Sequence, residues 1–247
     1  MSRFVSWGEE YELSVVDKFL SWGKNSFEPK TTPTCVQLAS ESFEPNQNGK
    51  LLVVLGPITR TSDIYGMLGV QSNSDYFELL DKFVSSLSSE VRAQTIIRPK
   101  NASQTRKPAR VSSDQVVNIF STSVDIDDGG VGLNQRLMSS RLAVVTYNET
   151  TIPTNMMFGF PTIALWDPKY VRLNTQAEEI YHKMHEAKIL FYSPQLAAEH
   201  ITRIWSDVES WWNSPQARRA RENYCNHYAY KARFPALTVA SVIADNL

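Results

Sequence analysis

The stretch Leu142-Ala143-Val144-Val145-Thr146-Tyr147 decides the fold. Four consecutive apolar residues run into a hydroxyl and then an aromatic, followed at once by the polar cluster Asn148-Glu149-Thr150-Thr151. An apolar run with no polar alternation is the mark of a strand covered on both faces, as in a parallel sheet between helical layers. Leu51-Leu52-Val53-Val54-Leu55, closed by Gly56-Pro57, repeats the pattern. Thr95–Ile97, Val116–Phe120, Pro161–Trp166 and Ile189–Tyr192 supply further strands in this reading.

Between them lie helical patterns. Tyr76, Phe77, Leu80, Phe83, Val84 and Leu87 form an apolar stripe, and further helices are expected over 132–140, Thr150–Phe158, 175–188 and about 194–232. Strands alternating with helices predict an α/β protein with a doubly wound parallel sheet and C-terminal helices. Residues 1–49 read as an N-terminal helix over 9–22, built on Leu13, Val16, Phe19 and Leu20 and stopped by Gly23. A Pro-, Ser- and Asn-rich linker follows, holding one short strand near Thr34–Leu38. Residues 50–235 form the main domain and 236–247 a mildly apolar tail.

Composition excludes several classes. With 25 basic and 26 acidic side chains the net charge is −1, which gives no support for nucleic-acid binding. No apolar run approaches a membrane span, and the first residues lack a signal-peptide core. The expectation is a cytoplasmic protein, with peripheral membrane contact left open. Cys35 and Cys225 stand in no metal or redox spacing and read as reduced thiols.

In open α/β sheets ligands sit beyond the carboxyl ends of the strands, so function is sought in those loops. Thr146, Tyr147, Asn148, Glu149, Thr150 and Thr151 join a buried strand to a helix N-terminus, where free N–H groups and the helix dipole suit a phosphate. Capping by Asn148 or Thr150 explains part of the cluster without a ligand. Arg98 and Lys100 follow the second strand and could grip a diphosphate. Arg106, Lys107 and Arg110 read as a solvated basic loop. After Gly56, the residues Thr59, Arg60, Thr61 and Ser62 offer hydroxyls and a cation, without the P-loop pattern. Asp125-Ile126-Asp127-Asp128-Gly129-Gly130 invites a Mg²⁺ reading but reads better as an acidic turn, because no further acid completes a shell. His182 and His185 read as a helix surface, and Trp205, Trp211 and Trp212 as packing. No metal and no cofactor are indicated, and no catalytic residue can be nominated.

Two blocks carry a resemblance. Ser139–Thr151 with Phe160–Pro168, Ala177–Tyr181, Ala187–Phe191, Ser193-Pro194 and Ile204–Ser214 resembles a family of bacterial transferases of surface-carbohydrate biosynthesis. Glu9–Gly23, with Asp17-Lys18-Phe19-Leu20-Ser21-Trp22-Gly23, resembles the same family near its inter-domain junction. The likeness is dense after about residue 139 and thin between 24 and 120. The resemblance implies a two-domain, GT-B-like glycosyltransferase, with this chain as its Rossmann-like C-terminal, nucleotide-sugar-binding half. It implies donor binding by Arg98 and Thr146 to Thr151. It further implies that an acceptor domain, a partner protein carrying one, or a second copy completes the assembly. Where the family tends to carry Leu-Glu, this chain has Pro153-Thr154, so ribose recognition would fall to another acid such as Glu149. Two other readings stay open: a nucleotide-binding subunit without catalysis, and a degenerate member with a structural role.

Overall fold

The computed structural model describes residues 7–24, 30–36, 44–56, 73–99, 113–171 and 173–245. Six strands form the central sheet: β3 (Lys50–Val54), β4 (Thr95–Arg98), β5 (Asp125–Ile126), β6 (Ser140–Val145), β7 (Thr162–Leu165) and β8 (Leu190–Phe191). They pair in the order β5-β4-β3-β6-β7-β8, every neighbour parallel. The chain therefore starts in the middle at β3, winds outward through β4 and β5, and returns to begin the second half at β6. This is the strand order of the doubly wound dinucleotide-binding fold.

Side chains alternate across a strand, so the apolar runs divide between two cores. Leu52, Val54, Ala143, Val145 and Ala164 face one layer. That layer holds α6 (Thr151–Phe158), α7 (Thr175–Glu186) and α10 (Pro215–Tyr228). Leu51, Val53, Leu142, Val144, Ile163 and Leu165 face the other. Against them lie α2 (Asn73–Ser86), α4 (Ser113–Phe120) and α8 (Pro194–Ile204). Each fully buried aliphatic side chain is worth about 1.5–3 kcal/mol, and both faces of β3 and β6 collect that gain. The short helices α3 (Ser89–Ala93), α5 (Leu133–Met138) and α9 (Val208–Trp212) complete this part.

Several expected elements fall elsewhere. Val116–Phe120 is helix, not strand: Val116 and Phe120 are buried while Val117 and Ile119 are exposed, a spacing of four. The third strand of the winding is the two-residue β5, in the segment read as an acidic turn. The expected helix over 9–22 ends early. It is α1 (Trp7–Val15), and Phe19–Ser21 forms β1, paired parallel with β2 (Thr31–Pro33). The expected strand near Thr34–Leu38 thus lies a few residues earlier, and its last two residues fall outside the described ones.

The segment expected as a linker is stitched to the C-terminal end. Lys24 N–H donates to Asn226 O at 2.7 Å, Tyr230 N–H to Trp22 O at 2.7 Å, and Val36 N–H to Tyr230 O at 3.0 Å. Val36 enters the core. The tail forms α11 (Pro235–Ala244), none of whose residues is buried. Cys35 and Cys225 are free thiols, and burial pushes the Cys225 thiol up to about 12. No helix among the described residues is long and apolar enough to cross a membrane.

Two outcomes follow from this packing. A Cβ on Gly49 would stand 2.5 Å from Ser139 O and 2.7 Å from Ser140 C, both backbone atoms at the start of β6. Gly49→Ala is expected to lower stability by about 1–3 kcal/mol in urea unfolding. His200 is buried between Phe191 and Trp211. Burial first, then Arg203 and Lys188, lower its pKa to about 4. Its folded value lies below the unfolded one near 6.5, so its contribution is complete at neutral pH and falls as pH drops through that window. Thermal melts from pH 7 to pH 5 should show a loss of about 2 kcal/mol that His200→Leu flattens.

Candidate functional site at the switch point

The two halves of the winding diverge between β3 and β6, the switch point beyond whose strand ends open α/β sheets bind ligands. Gly56 leaves β3 and Thr146 leaves β6. Thr146 N–H donates to Val54 O at 3.2 Å, and its Oγ1 donates to the same carbonyl at 3.1 Å. Tyr76, in the first turns of α2, closes the group. Gly56 N–H donates to its Oη at 3.0 Å, and a short hydrogen bond joins Oη to Thr146 Oγ1. Burial raises the Tyr76 phenol far above its ordinary value, so it stays neutral and serves as a fixed strut.

The rest of the cluster turns mostly inward. Tyr147 Oη and Thr151 Oγ1 lie 2.5 Å apart, both residues buried. Asn148 is buried, and its Oδ1 accepts from Tyr181 Oη at 2.7 Å, pinning the loop to α7. Its Nδ2 has no partner among the described residues. Thr150 is exposed and Glu149 half-buried at the rim. The structure thus keeps the expected residues together but leaves Thr150 as the exposed hydroxyl. What the cluster offers a ligand is chiefly the N-terminus of α6, where no side chain caps and the first turn holds no acid. The N-terminus of α2 at the same edge is different. Its first turn carries Asp75, which accepts from Tyr170 Oη at 2.5 Å. An incoming anion meets the bare positive end of a dipole at α6 and a carboxylate at α2.

One strand outward, Arg98 sits at the carboxyl end of β4. Its Nη1 donates to Asp127 Oδ2 at 2.5 Å and its Nη2 to Val131 O at 2.9 Å. Arg136, on α5, grips the same carboxylate through Nε and Nη2, both at 3.1 Å, and Gly129 N–H adds a bond at 3.0 Å. Asp127 is therefore the buried centre of a two-arginine clamp, where an exposed acidic turn was expected. Burial pushes its carboxyl up, but Arg136, the Gly129 amide and Arg98 outweigh that and hold it below the ordinary range. The clamp has a net charge of +1. Only 12% of the Arg98 side chain remains exposed, its guanidinium being held by Asp127 and Val131.

Of the other expected residues, Thr59, Arg60, Thr61, Ser62 and Lys100, with Arg106, Lys107 and Arg110, lie outside the described residues. His182 is exposed beside Glu186 at 3.4 Å, and His185 Nδ1 lies 2.9 Å from Leu190 O with its ring stacked on Tyr192. Among the described residues no three His, Cys, Asp or Glu side chains gather to hold a metal. Trp205 and Trp212 are buried and Trp211 half-buried, as packing predicts. Sequence reasoning missed Tyr76 and Arg136. Both stand on helices, and nothing in their own spacing distinguishes a strut or a clamp from ordinary helix residues.

Fold and site together define a doubly wound α/β protein with an uncapped helix N-terminus at its switch point. The chain belongs to the LIC12162 family of transferases, whose family model matches residues 2–240. Among solved structures it is similar to WaaG, a glycosyltransferase involved in lipopolysaccharide biosynthesis. The TM-score is 0.46 and the sequence identity 12%, over 88% of this chain and 57% of that one. The chain thus spans little more than half the length of that protein. No curated protein matches it.

Asp127→Asn removes the carboxylate that both guanidinium groups bind. It should cost about 3 kcal/mol at pH 7, the typical penalty for leaving a buried ion pair uncompensated. Because the folded pKa of Asp127 is depressed, its stabilisation is full above about pH 4 and disappears as pH falls through the folded value. The gap between wild type and variant in thermal melts should therefore close below pH 4.

Proposed function

We propose that this chain binds a nucleotide-sugar donor at the switch point and acts as the donor half of a glycosyltransferase. The observation that carries the reading is the convergence of Gly56, Thr146 and the uncapped N-terminus of α6 between β3 and β6. Gly56 N–H and Thr146 N–H are spent on Tyr76 and Val54, so what would meet a diphosphate is the positive end of the α6 dipole, whose first turn holds no acid. As the sugar leaves, charge grows on the phosphate, and a fixed dipole aimed at that charge stabilises it with no reorganisation. Membership of a transferase family accords with group transfer. In this reading Thr150 lends its hydroxyl to the phosphate and Glu149 stands where the ribose would pass. Arg98 adds positive potential from one strand away. A base for the acceptor hydroxyl comes from an acceptor domain or partner, and the work is done in the cytoplasm, where nucleotide sugars are made.

A second reading, nucleotide binding without turnover, draws support from the inward turn of Tyr147, Asn148 and Thr151, whose side chains are engaged with one another and with Tyr181.

Thr150→Glu separates the site from the scaffold. The residue is exposed, and an acid at a helix N-terminus favours the helix, so the fold should change by no more than about 0.5 kcal/mol. The same carboxylate would repel a phosphate. Calorimetric titration with UDP, GDP, CMP and dTDP should show one nucleotide binding the wild type and at least tenfold weaker binding to the variant, about 1.4 kcal/mol. Equal binding to both proteins, or none to the wild type, would remove the reading. Turnover of the matching sugar donor then decides between transferase and binding subunit.

A further inference from the structure

The opposite end of the sheet holds a second cleft. It lies where β3, β6 and β7 begin, beside Asn48, Arg141 and Pro161, and encloses about 510 Å³. That volume is in the range of small-molecule sites. Its walls come from four separate parts of the chain: the turn before β3, the start of β6, the end of α6, and α9 with the residues that precede it.

The chemistry of the lining selects a class of ligand. Arg141 is held rigidly on one wall. Its guanidinium lies 4.5 Å from the Trp205 ring centroid, and Nη1 donates to Trp205 O at 2.6 Å. Facing it are the carboxylates of Glu44, Asp207 and Glu209. These are also pre-arranged: Gln47 Nε2 donates to Glu209 Oε2 at 2.5 Å, and Asp207 Oδ1 caps Ser210 N–H at 2.9 Å. Three carboxylates disfavour an anion, while an uncharged polyol can bond to carboxylates and guanidinium alike. Two donors at the wall lack acceptors among the described residues: Trp205 Nε1–H and Arg141 Nε–H, both buried. Orphaned buried donors are costly and mark a place where a partner oxygen would be gained.

From this combination we infer that the amino-end cleft is a binding site for an uncharged saccharide, separate from the switch point. Hydroxyl groups both donate and accept. They can donate to the carboxylates and amides on one wall and accept from Arg141 and Trp205 on the other. Pro45 and Pro161 give the apolar surface that a sugar's C–H face requires.

The test follows the indole N–H signals of Trp205 and Trp212 by ¹⁵N NMR on the whole chain. The added ligands are glucose, galactose, N-acetylglucosamine, maltose and lactose, with spermidine and glucose 1-phosphate as the charged arms. Trp212 Nε1–H already donates to Gly159 O at 2.6 Å and serves as the internal reference for the same wall. The expected result is a saturable shift of the Trp205 signal with at least one neutral sugar. Binding should weaken at least tenfold in Glu44→Ala/Asn48→Ala, whose two positions are exposed and outside the core, and be unchanged in Thr150→Glu. Binding only of spermidine or glucose 1-phosphate overturns the ligand class. No shift with any sugar, retention of full affinity in the double variant, or loss of it in Thr150→Glu overturns the site.

Discussion

Burial of the sheet on both faces is the constraint from which the rest of this structure follows. A parallel sheet cannot be closed by tight turns, so each strand must be followed by a crossover that packs on one face or the other. Leu51 to Leu55 and Leu142 to Val145 are buried along their whole length as a result. No polar group that could meet a ligand survives inside those runs, and chemistry is confined to the ends of the strands. Both places proposed for ligands, the switch point and the amino-end cleft, obey this rule from opposite sides.

At the carboxyl end, polar side chains are used first to hold the backbone. Thr146 and Tyr76 tie β6 and α2 to β3, Asn148 ties the loop to α7, and Asp127 binds two arginines. Low local dielectric strengthens each of these bonds and makes any broken one expensive, so the loops are set in one geometry. What remains unengaged at this end is the uncapped positive end of the α6 dipole and the exposed Thr150.

The chain ends are joined by the same logic of backbone satisfaction. β1 and β2 pair with each other, and the segments flanking them exchange main-chain bonds with residues 226–230. Neither of these short pieces could persist alone, since a two-stranded pair is marginal without a surface to pack on. The early end of α1 is a consequence: Phe19 to Ser21 gain a strand partner, which local helix propensity cannot offer.

The sequence by itself determined the class of fold, five of the six central strands and most of the helices, and it marked the loop from Thr146 to Thr151 as a polar turn between a buried strand and a helix. Those features rest on short-range patterns, continuous apolar runs and helical stripes, which are visible in the chain without neighbours. Tertiary structure decided the rest. It made Val116–Phe120 a helix, because burial at every fourth residue depends on which surface it lies against. It turned Asp127 inward, because a carboxylate is a turn or a clamp according to whether Arg98 and Arg136, distant in the chain, arrive beside it. It also engaged the side chains of Thr146 and Asn148 in the scaffold, since their partners Tyr76 and Tyr181 are brought to them only by the winding of the sheet. Contacts between residues far apart in sequence carry no local signature, and these positions are governed by such contacts.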